Sequence, residues 1–231
     1  MDTDDDEVWL RVGEVARRIA SIEVPVSQDP LWQGFVRAFR FSPEIETALL
    51  EGTDDTAFEH FGDLKRYAHA LSRLTFSQTI LRAGTAINVL PSSATLDLDI
   101  RPLPGTTQDD VDAILAEALG DMFHEVRIER LISEPATVSS TDSPLYHAIV
   151  DTFDEFFPGV PVTPTIAAGG SDLRFGRRMG GNGYGFALHA RERTLGDVFH
   201  LLHHHDEYIE LEDVDLTVKA YRSLVRRFCG V

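Results

Sequence analysis

The sequence has little of several features that would identify a site class at once. It contains one cysteine, Cys229, among 231 residues, which excludes an internal disulfide framework and a cysteine-cluster metal site. No stretch approaches the ~18 apolar residues of a membrane span, and the first residues lack the basic and apolar parts of a secretory signal. We therefore expect a cytoplasmic chain that does not enter a membrane.

Positive charge is also scarce. Lysine and arginine total 21 against 38 aspartates and glutamates, a net charge of −17, and the only lysines are Lys65 and Lys219. A chain this acidic is a poor candidate for binding nucleic acid or an anionic membrane through its overall field. The charge is equally explained as a solubility feature, so it excludes partners without indicating one.

The common single-segment catalytic motifs are missing as well. HExxH, the GKS/T ending of a Walker loop and the GxSxG elbow do not occur in the sequence. Hydrophobic residues make up 43% and aromatics 9%, a globular composition, and the length allows one large domain or two small ones. Any chemistry must therefore come from residues that the fold brings together.

The first 133 residues predict an α+β arrangement. Period-two alternation over residues 94–101 puts Leu96, Leu98 and Ile100 on one face of a strand. Asp29-Pro30 predicts a loop or turn. The predicted elements are helices at 8–19, after Ser42 and from Thr107, and strands at 75–81, 94–101 and 126–131. Together they indicate one antiparallel sheet with helices on a face.

Residues 134–231 show a different pattern. The polar stretch from Pro135 to Ser143 predicts a domain boundary. Helices and strands then alternate as in an α/β layer, but two strands are too few for an independent sheet. The predicted elements are helices at 144–156 and 211–228, strands at 161–167 and 184–188, and a short helical stretch after Gly170. We expect this part to be a portion of a larger domain.

The densest group of metal-ligating residue types is His200 with the run His203-His204-His205-Asp206-Glu207. Imidazole is the commonest zinc ligand, and carboxylates support it or bind metal themselves. Consecutive side chains cannot all point at one ion, so one or two of the run would ligate. A polar loop with a chance histidine content explains the same residues equally well.

Two glycine-containing segments are candidate binding loops. Residues 169–174, Gly-Gly-Ser-Asp-Leu-Arg, lie between a predicted strand and a helix, where backbone N–H groups bind anions and Arg174 could grip a carboxylate. An ordinary strand-to-helix turn capped by Ser171 explains this loop as well. Residues 84–91, Gly-Thr-Ala-Ile-Asn-Val-Leu-Pro, predict a connection between two strands.

These three regions occur together in a fixed order. They are TFSQTILRAGTAINVLPSSATLDLDIRPLPGTTQDDV, AAGGSDLRFGRRMGG and LLHHHDEYIELEDV. The ordered set resembles the co-catalytic zinc peptidase family, which includes aminoacylase, acetylornithine deacetylase, succinyl-diaminopimelate desuccinylase and glutamate carboxypeptidase. The resemblance implies a ferredoxin-like α+β lid at 1–133, lacking its first strand, that forms homodimers. It implies the C-terminal part of the family's α/β catalytic domain at 134–231.

The resemblance also implies roles for particular residues. His203 matches the family's C-terminal zinc ligand, and Asn88 and Arg101 match lid residues that approach the substrate. The 169–174 loop matches the family's Gly-Gly-Thr-Asp-x-Arg loop, which helps hold the substrate carboxylate. The matching residues there are Gly169, Gly170, Ser171 in place of the usual Thr, and Arg174. The implied reaction is two-zinc hydrolysis of an N-acyl amino acid or a small peptide.

The sequence also departs from the family in the residues that supply the chemistry. The family's N-terminal half carries a His-x-Asp motif, a bridging Asp and a Glu-Glu pair, which supply most zinc ligands and the general base, and the sequence has no counterpart of them. One histidine cannot form the three-ligand-plus-water site of a catalytic zinc. We expect either the C-terminal part of an amidohydrolase from a truncated or split gene or a cloned fragment, inactive alone, or a non-catalytic dimerisation or carboxylate-binding module.

Overall fold

The computed structural model describes residues 7–202 and 204–230. The chain divides into two compact units, each assembled from two segments. Residues 1–25 and 73–136 form one, termed the sheet unit, and residues 26–72 and 137–231 form the other, termed the helical unit. The predicted boundary near residue 134 lies beside the change of unit after Ala136, whereas the assignment of residues 26–72 to the second unit was not predicted. The division into a lid at 1–133 and a catalytic portion at 134–231 stays a prediction.

Helices dominate the described part of the chain. In chain order they are α1 (Glu7–Ala20), α2 (Pro30–Ala38), α3 (Pro43–Glu51), α4 (Lys65–Ser72), α5 (Gln108–Leu119), α6 (Pro144–Phe156), α7 (Leu173–Arg178), α8 (Leu195–Leu201) and α9 (Leu211–Cys229). The strands are β1 (Thr75–Ala83) and β2 (Ala94–Arg101), and 3-10 helices cover Asp55–Leu64 and Gly120–His124. In the described ranges, no helix combines the length and apolarity needed to cross a membrane.

In the sheet unit, β1 and β2 form an antiparallel pair. The register runs from Thr75 opposite Arg101 to Ala83 opposite Ala94, with one irregularity between Gln78 and Ile80. A buried cluster joins the strands to α5, and α1 lies against both strands and α5. The cluster consists of Leu74, Val111 and Leu115, with Phe76, Leu98 and Ile100 packed against it. This is the antiparallel sheet with helices that the sequence predicts for this part of the chain.

Side-chain caps explain where several helices begin. Thr107 Oγ1 accepts a hydrogen bond from the Asp110 N–H, and the Asp110 carboxylate accepts one from the Thr107 N–H, a capping box that starts α5. The prediction of a loop or turn at Asp29-Pro30 was wrong for Pro30, which is the first residue of α2. Asp29 Oδ1 accepts from the Leu31 N–H at 2.7 Å, and Pro30 occupies the first helical position of α2.

The helical unit contains two buried clusters. Aromatic side chains from α2 and the first 3-10 helix form the larger one, with Trp32, Phe35, Phe58 and Phe61 at its centre. The smaller one lies where α6 meets α9 and is built on Ala148, Ile149 and Leu224. Both helices have the predicted bounds to within one residue.

Three predicted strands are not strands in the structure. Residues 126–131, 161–167 and 184–188 carry no strand assignment, so the α/β layer predicted for 134–231 is not seen in the described residues. Alternation predicts an extended segment, but a strand also needs a neighbouring backbone for its hydrogen bonds. Around 184–188, side chains of α9 make hydrogen bonds that a neighbouring strand would otherwise make. Thr217 Oγ1 accepts from the Leu188 N–H and donates to the Leu188 carbonyl, and the Tyr221 hydroxyl donates to the Phe186 carbonyl.

Candidate functional site

The 169–174 loop leads directly into α7. Ser171 Oγ accepts a hydrogen bond from the Leu173 N–H at 3.2 Å, and the Ser171 carbonyl accepts from the Arg174 N–H at 3.2 Å. The N-cap position belongs to Asp172, not to Ser171. The structure thus keeps the predicted turn into a short helix, with the hydroxyl of Ser171 fixing the turn.

The Arg174 side chain folds back over its own loop. Nη1 donates to the Ser171 carbonyl at 3.2 Å and lies 3.9 Å from Asp172 Oδ1. The guanidinium carbon is 4.5 Å from the centroid of the Phe175 ring, a cation–π distance. The side chain keeps 29% of its surface exposed. These contacts hold the guanidinium at its own loop, with part of the side chain exposed to solvent.

Arg177 holds this region together, a role that the sequence did not indicate. Its Nε donates to Ser139 Oγ at 2.8 Å, and Nη2 donates to the Gly183 carbonyl at 2.6 Å. The Gly183 N–H donates to the same Ser139 Oγ at 3.0 Å. A Cβ at Gly183 would come 2.9 Å from Cδ2 of Leu173, so the Leu173 side chain at the start of α7 would have to shift to admit a larger residue. These hydrogen bonds fix the position of α7, the helix that directly follows the 169–174 loop.

Asn88 and Arg101 lie in the sheet unit, apart in sequence and unit from the 169–174 loop. Asn88 is exposed in the connection between β1 and β2, where the Val89 N–H bonds the Ala86 carbonyl at 3.2 Å. Arg101 ends β2, and its Nε donates to Asp99 Oδ2 at 2.9 Å. The structure confirms the predicted connection, and the substrate roles of both residues stay predictions.

The histidine-rich segment follows α8. His203, the predicted zinc ligand, lies outside the described residues. The rings of His200 and His204 stack with their centroids 5.5 Å apart. Within residues 7–202 and 204–230, no three or more His, Cys, Asp or Glu side chains come together as a group able to hold a metal ion.

A buried carboxylate, Asp213, forms a second polar cluster in the helical unit. Its Oδ1 accepts from the Ala190 N–H at 2.8 Å, and its Oδ2 lies 3.0 Å from both His189 Nδ1 and Arg193 Nε. Burial raises the pKa of this carboxyl, but the Ala190 hydrogen bond, His189 and Arg193 outweigh it and lower the pKa overall. Asp213 therefore remains ionised and ties the 189–193 segment to the first turn of α9.

Comparison with known protein families shows the class to which part of this chain belongs. Residues 36–127 match a family profile described as the M20 peptidase dimerisation domain. Residues 36–72 of this match lie in the helical unit and residues 73–127 in the sheet unit. The helix-rich structure with its two-stranded antiparallel sheet is consistent with such a domain.

Two curated relatives agree with this class, and one solved structure has a weaker likeness. The chain is 32% identical over 158 residues to a probable carboxypeptidase S-like 2 of Dictyostelium discoideum, covering 68% of this chain and 28% of the relative. It is 29% identical over 165 residues to N-fatty-acyl-amino acid synthase/hydrolase PM20D1 of Xenopus tropicalis, covering 71% and 31%. The solved M20 family metallo-carboxypeptidase Sso-CP2 from Sulfolobus solfataricus matches 94% of this chain and 52% of its own, with a TM-score of 0.48 and 17% identity.

The predicted resemblance is confirmed: residues 36–127 match the M20 peptidase dimerisation domain, and the chain is similar to carboxypeptidase S-like and PM20D1 proteins. It spans about a third of the length of the curated relatives that it matches.

Proposed function

We propose that this chain supplies the dimerisation domain and the substrate-carboxylate loop of a zinc-dependent amidohydrolase or exopeptidase. The observation that carries the proposal is the match of residues 36–127 to the dimerisation domain, followed in the same chain by the braced loop that holds Arg174. The proposed substrate is an N-acyl amino acid or a small peptide.

The chemistry of the loop supports a carboxylate ligand. A guanidinium presents parallel N–H donors that match the two oxygens of a carboxylate. The helix α7 carries Arg174, Arg177 and Arg178 within six residues, a local positive region in a chain of net charge −17. Arg177 is bonded to Ser139 and to the Gly183 carbonyl and so positions α7, whereas Arg174 occupies the arginine position of the loop motif, and we assign Arg174 to the substrate on that match.

The names of the relatives support the proposed substrate class. One relative is named a carboxypeptidase, and the other an N-fatty-acyl-amino acid synthase/hydrolase. A carboxypeptidase cleaves the amide bond next to a free carboxylate, and an N-acyl amino acid has the same arrangement of amide and carboxylate. Arg174 would bind this shared carboxylate, and Asn88 and Arg101 are proposed as further substrate-binding residues.

Zinc is the metal proposed from the family, and His203 is proposed as one ligand. The described residues do not fit a zinc site on their own, because no three suitable side chains among them come together. A catalytic zinc needs three protein ligands and a water. We therefore assign no catalytic step to a metal held by this chain alone.

The purified chain is expected to be inactive by itself. It should show no turnover of N-acetyl amino acids, with or without added zinc, because it has no Glu-Glu pair and no His-x-Asp motif in a suitable N-terminal position. The assay is release of free amino acid, compared with buffer containing the same zinc. Turnover above that background that is lost in the His203→Ala variant would overturn the prediction of inactivity.

The strand β1 is suited to forming the proposed homodimer. It exposes Ile80 (43%) and Leu81 (49%), and an exposed apolar strand can pair with another chain. Sedimentation of the full chain should show self-association that the Ile80→Lys/Leu81→Lys double variant weakens at least about tenfold, a change of about 1.4 kcal/mol. The matched variant Ser77→Lys, at another exposed position of β1, should leave it unchanged. Equal association of the double variant and the wild type would contradict this role of β1.

A further inference from the structure

The side chain of Tyr67, in α4, touches two segments that lead into the candidate site. Its hydroxyl donates a hydrogen bond to the Ile166 carbonyl at 2.7 Å, and its ring lies against the Phe199 ring with the centroids 4.3 Å apart. Ile166 lies three residues before the 169–174 loop, and Phe199 lies in α8, the helix before the histidine-rich segment. All of these residues belong to the helical unit. One side chain therefore contacts the approach to the arginine loop and the approach to the histidines.

The approach to the 169–174 loop depends on side chains for its position. Residues 161–167 carry no strand assignment, so a strand ladder does not hold their backbone. Ile166 and Ala168 pack against the larger cluster, and the Tyr67 hydroxyl bonds the Ile166 carbonyl. A partly buried carbonyl needs a hydrogen-bond partner, and that partner fixes where the backbone lies. The bond from Tyr67 therefore fixes the backbone just ahead of the loop.

Core packing alone does not explain the Tyr67 hydroxyl. The ring lies at the edge of the larger cluster, with its centroid 6.1 Å from that of Phe35 in an edge-on arrangement. Phenylalanine would keep this contact and the contact with Phe199. Burial raises the pKa of the hydroxyl above its ordinary value of 10.0, by more than a hydrogen bond with Thr165 lowers it. The group therefore keeps its proton and donates at neutral pH.

Helix α8 is also held by the segment that precedes Tyr67. The 3-10 helix at 55–64 runs directly into α4 and lies against α8. A Cβ at Gly196 would come 3.4 Å from Cβ of Asp63, so the start of α8 lies close to this 3-10 helix. The ring of Tyr67 contacts α8 again, three residues further along the helix. Residues 55–72 thus support α8, and through Tyr67 they also bond the approach to the loop.

We propose that Tyr67 is a positioning residue that holds the Arg174 loop and α8 in one fixed arrangement. The hydroxyl acts on the loop through the Ile166 backbone, and the ring acts on α8 through Phe199. This inference rests on the proposed function, because the position of the loop matters to that function only if Arg174 binds the substrate carboxylate. Tyr67 lies within the 36–127 match to the dimerisation domain, so a residue of that match would position a loop outside it.

Amide hydrogen exchange of the full chain, followed by NMR, tests the two contacts separately. Tyr67→Phe removes the hydroxyl and keeps the ring. The amides of Leu173 and Arg174 should then exchange at least about threefold faster, the effect of losing one hydrogen bond, and the amide of Val198 in α8 should change little. Tyr67→Leu removes both contacts and should speed exchange at all three positions. Amides of α6, elsewhere in the helical unit, are the reference for a general loss of stability.

Tyr221→Phe is the matched control. The Tyr221 hydroxyl also donates to a backbone carbonyl, that of Phe186 at 2.8 Å. The control should lose similar stability in urea unfolding and leave exchange at Leu173 and Arg174 unchanged. Unchanged exchange of these two amides in Tyr67→Phe, or a rise no larger than that of the α6 amides, would overturn the proposal.

Ligand binding connects the exchange result to the proposed function. N-acetyl-leucine and its methyl ester are compared by ligand-observed NMR for the wild type, Tyr67→Phe and Tyr221→Phe. Tyr67→Phe should reduce the wild type's preference for the free acid at least about threefold, and Tyr221→Phe should keep that preference. A full preference in Tyr67→Phe would contradict the positioning role. Equal binding of acid and ester by the wild type would instead contradict the proposed function, and the exchange rates would still decide the role of Tyr67.

Discussion

Replacing Trp32 by alanine is expected to reduce the free energy of unfolding by about 3–5 kcal/mol, because it removes a large, fully buried ring. Trp32 is 1% exposed. Its ring centroid lies 6.2 Å from that of Phe35, 6.0 Å from that of Phe58 and 6.3 Å from that of Phe61. These contacts join α2 to the 3-10 helix at 55–64, so the cavity would lie at the centre of the larger core.

Two matched variants separate burial from ring chemistry. Trp32 Nε1 is buried and has no hydrogen-bond partner among the described residues, so Trp32→Phe loses volume but also removes an unsatisfied N–H. We expect Trp32→Phe to cost less than half as much as Trp32→Ala. Trp9→Ala, at the other tryptophan, which is 47% exposed, should cost under about 1 kcal/mol. Urea unfolding followed by circular dichroism measures all three, and a cost below about 1 kcal/mol for Trp32→Ala would contradict this description of the core.

Replacing Asp213 by alanine is expected to cost about 3 kcal/mol, at the lower end of the range for breaking a buried ion pair. The change removes the shared partner of the Ala190 N–H, His189 and Arg193. Asp213→Asn keeps an acceptor for the Ala190 N–H and should cost less. The exposed Asp215, which pairs with Lys219 on the same helix, is the matched control, and Asp215→Ala should cost under about 0.5 kcal/mol.

The contribution of Asp213 should also depend on pH. Its pKa in the folded chain is below the ordinary value of 3.8, so the ionised carboxylate stabilises the fold above that value. The stability is lost as the pH falls through the lowered pKa, because the folded state must then take up a proton. The difference in unfolding free energy between wild type and Asp213→Asn should be constant near neutral pH and shrink below about pH 4. A difference that grows on acidification would contradict the assigned direction.

The sequence predicts those elements whose causes are local. Thr107 caps α5 and Ser42 caps α3, because a cap needs only a side-chain oxygen and a backbone N–H three residues away. Helices α6 and α9 lie where the sequence predicts them. The error at Asp29-Pro30 also has a local cause, because Asp followed by Pro is typical both of a turn and of the start of a helix.

Features that join distant segments were not predicted. Residues 184–188 alternate like a strand, but Thr217 and Tyr221 of α9 bond their backbone, and nothing local indicates that arrangement. Asp213 resembles an ordinary acidic residue in the first turn of a helix, and its partner His189 is 24 residues away in sequence. Only the folded chain shows that this carboxylate is buried.

The candidate site was predictable in part. The 169–174 loop has the predicted turn into a short helix, and Asn88 lies in the predicted connection between strands. Arg177, which braces the loop through Ser139 and Gly183, was not singled out, because a second arginine three residues after Arg174 has no local pattern of its own. The loop motif indicated the residue proposed to contact the substrate, whereas the residue that positions the loop required the structure.

The central claim, that Arg174 binds the carboxylate of an N-acyl amino acid, is tested most directly by ligand binding to the full chain. Ligand-observed NMR compares N-acetyl-leucine with its methyl ester, against wild type, Arg174→Ala and the control Arg178→Ala. We predict that wild type and Arg178→Ala prefer the free acid at least about tenfold, about 1.4 kcal/mol, and that Arg174→Ala loses this preference. Equal binding of acid and ester by the wild type, or an unchanged preference in Arg174→Ala, would contradict the claim.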